Sequence, residues 1–301
     1  MKNLRVVAFR FALIIMLGLA GCAGMQTTTG APPIVDNTPA PIKVPFKLGL
    51  ALGGGAARGF AHIGVIQVLE ENGIKPDFVV GTSAGSLVAS IYATGKDGKA
   101  LQKIAEEMDE AAITDWTLPF FNRGGVLRGD AYAKFVGTQV DRKLIEQVSI
   151  PLGIVATDLK SGQGVLFRRG DITTAVRASS AVPGVFPPVN IAGLDYVDGG
   201  LVSPVPVRFA RQMGATVVVA VDISAAPEGE ATDSVLQILL KTFSIMSQSI
   251  NSFETKSADV LIKPALIGVG SSDFSAKRRS IEAGRTAMLA ELPKLKALLA
   301  Q

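Results

Sequence analysis

The sequence predicts an α/β domain on a mostly parallel central sheet. Apolar runs of strand length at residues 46–52, 78–80 and 215–221 alternate with helical patterns. The run at 215–221 is apolar but for Thr216, as suits a parallel strand buried on both faces. Two of these runs enter glycine-containing turns that open directly into helices. A length of 301 residues suits one large α/β domain or two small ones, and a 48% hydrophobic composition can fill a sizeable core.

The first 45 residues stand apart. Lys2, Arg5 and Arg10 form a positive start, and residues 11–20 form an apolar stretch shorter than the about 20 residues a membrane span needs. It ends in Leu19-Ala20-Gly21-Cys22, which resembles the lipobox of bacterial lipoproteins. The resemblance implies a signal peptide over 1–21, cleavage before Cys22, and acylation of that cysteine. With Ala23 following, it points to the bacterial cell envelope and the outer membrane. Several acyl chains would anchor the protein firmly, at roughly 0.8 kcal/mol per buried CH₂. Cys22 is the only cysteine, so no intramolecular disulfide can form. Residues 22–45, with Pro32-Pro33 and Pro39-Ala40-Pro41, read as a flexible tether. The domain proper is expected over 46–301. Without Lys2, Arg5 and Arg10, most of the formal +4 charge disappears. No basic stripe with interleaved aromatics remains, so nucleic acid is not an expected partner.

The elements follow in order. The opening strand runs into Gly53-Gly54-Gly55-Ala56-Ala57-Arg58-Gly59, then into a helix that should stop at Asn72-Gly73. Strand, glycine-rich turn and helix gather free N–H groups at one point. A phosphate-binding loop would need Gly-Lys-Ser/Thr, but Phe60 follows Gly59. A dinucleotide fingerprint would need a second glycine where Ala56 stands. An oxyanion hole is the third reading: amides aimed at the charge that forms on a carbonyl oxygen during acyl transfer.

Residues 78–80 lead into Gly81-Thr82-Ser83-Ala84-Gly85, and a helix leads out towards Gly95. Strand, Gly-x-Ser-x-Gly and helix are the setting of a nucleophilic serine. The pattern alone also fits an ordinary glycine-bounded turn. A short helix is expected over 99–108, a loop or lid over 114–128, and a helix over 130–140 with Asp130 as its cap. Strands at 151–158 and 164–168 flank the turn Lys160-Ser161-Gly162, and Asp171 caps the next helix. Prolines 183, 187 and 188 fix the loop after it. Asp198-Gly199-Gly200 reads as a turn. Helices over 205–213, 234–250 and 280–299, with a short strand at 259–262, complete the chain.

A serine that attacks an ester needs a base. His62 is the single histidine, and it precedes the serine in the chain, against the order of α/β-hydrolases. It reads as a packing or loop-ordering residue. A carboxylate acting directly on Ser83 is the alternative, and Asp198 is the candidate.

Taken together, the Gly53–Gly59 loop with Arg58, the Gly81–Gly85 turn and Asp198-Gly199-Gly200 resemble the patatin-like phospholipase family in its bacterial branch. The Ser179-Ser180…Pro183…Phe186-Pro187-Pro188 stretch is similar too. The resemblance covers about residues 46–265. It implies a three-layer α/β/α fold and a lipid acyl hydrolase with Ser83 as nucleophile and Asp198 as base. Backbone amides around Gly54, Gly55, Ala56 and Arg58 would hold the oxyanion, and Gly59, Gly81, Gly85, Gly199 and Gly200 would complete the motifs. It implies phospholipid or another fatty-acyl ester as substrate, and neither metal nor organic cofactor. Ala56 departs from the family's usual glycine, and its methyl calls for a backbone with φ below zero or a narrower pocket. An anchored lipid-binding or scaffolding lipoprotein without turnover is the competing reading. The oligomeric state is not legible.

Overall fold

Residues 48–52 read Leu-Gly-Leu-Ala-Leu and are buried to the last side chain, because the strand they form has a parallel neighbour on each edge and a packed core on each face. The computed structural model describes residues 46–109, 111, 113–116, 125–224 and 233–300. The expected signal peptide, acylated Cys22 and tether lie outside the described residues, as do residues 117–124 of the expected lid.

The strands are β1 (Leu48–Leu52), β2 (Phe78–Thr82), β3 (Leu152–Asp158), β4 (Gly164–Phe167), β5 (Val189–Ile191), β6 (Leu194–Asp198), β7 (Val217–Val221) and β8 (Val260–Ile262). They form one sheet in the order β5-β6-β3-β2-β1-β7-β8, with β4 also paired to β3. β3, β2, β1, β7 and β8 are parallel, as expected. The other three join antiparallel. The β5–β6 hairpin was not foreseen in the sequence. Its first strand has only three residues, too few to show a period of two.

The helices are α1 (Ala61–Glu71), α2 (Ala84–Ala93), α3 (Gly98–Glu107), α4 (Asp130–Gln139), α5 (Ile172–Ser179), α6 (Val207–Gln212), α7 (Val235–Glu254) and α8 (Lys277–Leu299). Alternation along the strands sorts the core into two layers. Leu48, Leu50, Leu52, Val79, Ile154 and Val219 pack beneath α1, α2 and α8. Ala51, Val80, Val155 and Val218 face the opposite way, beneath Val207, Phe209 and Ala210 of α6. Helices on both faces make the three-layer α/β/α arrangement.

Two expectations change. The cap of α4 is not Asp130. Asp115, fifteen residues earlier, accepts from the N–H groups of Gly129, Asp130 and Ala131, so a carboxylate from another segment serves the orphan donors. The helix expected over 234–250 extends to Glu254 and turns a polar seam inward. Ser247 bonds Gly200 O, Asn251 bonds the Val205 amide and Asp222, and Glu254 accepts from Ser203. Its Val235, Ile238, Leu239, Ile245, Met246 and Phe253 are exposed. No helix among the described residues is long and apolar enough to cross a membrane.

Candidate active site

The sheet itself brings Ser83 and Asp198 together. On one edge of β3, β4 pairs without a break from Ile154 to Thr157. On the other edge Thr82 of β2 stands opposite Val155, and Asp198 of β6 stands opposite Ala156. β2 runs parallel to β3 and β6 antiparallel, so their C-terminal ends meet head to head along that edge. Ser83 is the residue after that joint on β2, and Asp198 is the last residue of β6.

At the joint the chain leaves β2 sharply. Ser83 has φ 54° and ψ −124°, a conformation that costs a non-glycine residue on the order of 1–3 kcal/mol and is held only by its surroundings. Helix α2 begins at the next residue, so Ser83 stands at a helix N-terminus, the end that favours negative charge. The flanking glycines are needed for close approach. A Cβ on Gly81 would lie 2.3 Å from the Gly85 carbonyl oxygen, and one on Gly85 would lie 2.1 Å from that of Leu52.

The Ser83 hydroxyl donates to Asp198 Oδ2 at 2.6 Å. Both residues are buried, Asp198 completely. The other carboxylate oxygen accepts from the Gly200 amide at 2.7 Å. The Asp198 amide donates to Ala181 O at 3.0 Å, and its carbonyl accepts from Thr157 Oγ1 at 2.8 Å. Burial pushes the Asp198 carboxyl up to about 7, against the lowering effect of the Ser83 and Gly200 hydrogen bonds. The carboxyl is therefore poised to accept and return a proton near neutral pH.

The glycine-rich loop lies against this pair. A Cβ built on Gly54 would come 3.1 Å from that of Ser83, and one on Gly59 would come 2.9 Å from that of Ala84. The loop's amides are unevenly committed. Gly53 N–H donates to Val221 O, Gly54 N–H to Pro204 O, Ala57 N–H to Ser271 O and Arg58 N–H to Gly55 O. The amides of Gly55 and Ala56 make no hydrogen bond among the described residues. Of the four amides expected around the oxyanion, those of Gly54 and Arg58 are thus already committed, to Pro204 O and Gly55 O. Ala56 adopts φ 52°, so of the two outcomes its methyl called for, a negative φ or a narrower pocket, the first is not taken, and the residue carries the strain of a positive φ.

One cavity is lined by Gly54, Gly55, Ala56, Arg58, Ser83 and Asp198, and its wall includes Leu240 and Phe243 of α7. Arg58 is buried there. Gly200 lines the cavity, whereas Gly199 serves the sheet, since a Cβ on it would come 2.3 Å from Val155 O.

His62 is fully buried and does not reach the pair. Its Nε2–H donates to Gly53 O at 2.8 Å, and Nδ1 has no partner among the described residues. Burial lowers its pKa to about 4, against the raising effect of the Gly53 carbonyl. It is a neutral strut under the glycine loop, as the chain order had implied.

Sequence reasoning passed over the cavity wall supplied by α7 and the hydroxyl of Ser179, which contacts the Ser83 amide. Ser179 entered only within the stretch that resembles the family, without a role, and nothing local in α5, which reads Ile-Thr-Thr-Ala-Val-Arg-Ala-Ser, marks its last hydroxyl.

Residues 50–211 match the family model described as patatin-like phospholipase. An uncharacterized NTE family protein of Mycobacterium tuberculosis is 34% identical over 217 residues, which is 72% of this chain and 60% of that protein. Patatin-like phospholipase domain-containing protein 6 of Mus musculus is 32% identical over 189 residues, 60% of this chain and 14% of that one. The chain thus covers less than two thirds of the length of these relatives. Among solved structures, VipD from Legionella pneumophila superposes with a TM-score of 0.58 over 83% of this chain and 67% of its own, at 16% identity. That likeness concerns the fold.

Proposed function

Because this chain belongs to the patatin-like phospholipase family, we propose that it hydrolyses fatty-acyl esters of the phospholipid or lysophospholipid type through an acyl-serine intermediate. The observation that carries the reading is the buried 2.6 Å hydrogen bond from Ser83 to Asp198.

In the first half-reaction Ser83 Oγ attacks the ester carbonyl as Asp198 Oδ2 takes its proton. The carbonyl oxygen becomes an oxyanion, received by the amides of Gly55 and Ala56. Collapse breaks the bond to the alcohol, which leaves with the proton held by Asp198. The acyl group stays on Ser83. Water then attacks that acyl group and gives its proton to Asp198. Collapse releases the fatty acid, and the proton returns to Ser83. Asp198 thus works as base and acid in turn, a role suited to a pKa of about 7. Leu240 and Phe243 give the acyl chain an apolar wall. An acylated Cys22 would keep the domain on the membrane that holds its substrate.

A fluorophosphonate probe is expected to label Ser83, and a mixed lipid panel followed by mass spectrometry to show Ser83-dependent release of fatty acid. A chain that binds lipid but gives no product and takes no probe would leave the anchored lipid-binding reading in its place.

A further inference from the structure

β2 and β3 should share one more hydrogen bond than they do. In a parallel ladder alternate residues of one strand donate to carbonyls two residues apart on the other. Val79 N–H donates to Pro151 O at 3.0 Å, and the register pairs Val79 with Leu152 and Thr82 with Val155. Continued for four residues, the same ladder would join Ser83 N–H to Val155 O. Instead, Ser83 N–H donates to Ser179 Oγ at 2.8 Å, and Ser179 Oγ–H donates to Val155 O at 2.6 Å. A single hydroxyl from the last residue of α5 sits between the two backbones. It is completely buried.

We infer that Ser179 is a positioning residue that wedges the ladder open at this one step. The inserted oxygen satisfies both backbone groups while parting the strands. That frees Ser83 to take its positive φ, and it frees the edge of β3 at Ala156 for Asp198. The chain just beyond α5 holds the second partner, since Ala181 O, two residues after Ser179, accepts from the Asp198 amide. Without the hydroxyl, Ser83 N–H and Val155 O are either left buried and unpaired or drawn together into an ordinary ladder bond. Drawing them together pulls the serine back towards the sheet and away from the carboxylate. A second consequence concerns the oxyanion. With its own amide committed to Ser179, Ser83 cannot contribute that N–H, which leaves the task to neighbouring amides.

The inference rests on the esterase reading, and its test separates the two. Ser179→Ala is expected to lower kcat for ester hydrolysis about 30-fold or more while KM stays within about threefold, as a displaced nucleophile would. Ser179→Thr keeps the hydroxyl and is expected to recover most of the rate. Ser280→Ala removes another fully buried hydroxyl, one with no partner among the described residues, and is expected to leave kcat unchanged. Hydrogen exchange at the Ser83 amide is expected to be at least about tenfold faster in Ser179→Ala than in the unaltered chain. Full kcat in Ser179→Ala, or a loss that Ser179→Thr shares, would overturn the inference. So would a Ser83 amide that exchanges freely in the unaltered chain, a measurement that stands even where Ser179→Ala does not fold. If the unaltered chain hydrolyses no ester, the enzymatic reading fails by itself, and the exchange data still decide the role of Ser179.

Discussion

Ser83 and Asp198 are held 2.6 Å apart by restraints on their backbones as well as by the bond between them. Ser179 holds the amide of one, Ala181 and Thr157 hold the backbone of the other, and the Gly200 amide holds its carboxylate. The pair is therefore built before substrate arrives, and the carboxylate should keep its place when the hydroxyl is removed.

The first prediction is a pH profile. With the Asp198 carboxyl raised to about 7, kcat/KM is expected to climb as pH rises through that value and then level, because the base must be ionised. Asp198→Asn should lose roughly 10²–10⁴-fold in kcat together with this acid limb. His62→Gln should keep the limb, since His62 supports Gly53 and is already neutral well below pH 7. A limb that survives in Asp198→Asn and vanishes in His62→Gln would reverse the two assignments.

The same carboxyl sets a trend in stability with the opposite sense. Its pKa is raised from an ordinary 3.8, so between about 4 and about 7 the folded state binds more protons than the unfolded state. Stability from this group is therefore greatest at low pH and falls as pH rises through about 7, at up to about 1.4 kcal/mol per pH unit. Burial also raises Glu70 and Glu254, while His62 acts in the other direction. Urea denaturation of Asp198→Asn beside the unaltered chain cancels those shared contributions. The variant is expected to gain stability relative to the unaltered chain between pH 5 and pH 8. Parallel curves would mean that Asp198 is ionised throughout. Activity and stability thus trade against each other over one pH window, at one residue.

Much of this site was legible in the chain. Gly81, Gly85 and Ser83 announce a strand leaving through a turn too tight for a Cβ, and the approaches to the Gly85 and Leu52 oxygens bear that out. The apolar run expected over 215–221 announces a strand with helices on both faces, and the buried side chains of β7 agree. What stayed hidden depends on residues distant in sequence. Asp115 caps a helix that begins fifteen positions later, and neither end of that contact has a local signature. Ser179 reaches across 96 residues to an amide, and a serine at a helix end looks the same whether it bonds its own turn or a distant strand. The exposed apolar side chains of α7 mislead in another way. Their spacing is that of a core-facing stripe, yet the helix is fastened through Ser247, Asn251 and Glu254.

A third prediction concerns Ala56. Its φ of 52° is unfavourable for a residue with a Cβ by roughly 1–2 kcal/mol, while replacing alanine by glycine loosens the unfolded chain by about 0.4–1 kcal/mol. Ala56→Gly should therefore stabilise the protein by a net amount on the order of 0.5–1 kcal/mol. Because the backbone already has the left-handed shape, kcat should stay within about threefold. Ala56→Val, branched at Cβ, should lose both stability and activity. Urea midpoints with unchanged slopes measure the first quantity. A destabilised Ala56→Gly would mean that the alanine methyl makes a contact worth more than its strain.

The last prediction separates strain that matters to the site from strain that does not. A Cβ on Gly85 would lie 2.1 Å from Leu52 O and 2.6 Å from Gly53 O, both backbone atoms at the end of β1. Gly53 O is also the acceptor of His62. Gly85→Ala must therefore push α2 away from the start of the glycine loop, widening the space between Ser83 and the amides of Gly55 and Ala56. Overpacking of this kind costs about 1–3 kcal/mol or more, and the displacement should lower kcat by about 100-fold or more. Gly162→Ala provides the contrast. Gly162 has φ 70°, and nothing lies within 4 Å of where its Cβ would stand, so the substitution should cost about 1–2 kcal/mol through backbone strain alone and leave kcat unchanged. Thermal melts and ester turnover on the two variants should then diverge, both destabilised and only one inactive. Equal turnover in both would show that α2 can move without disturbing the oxyanion amides.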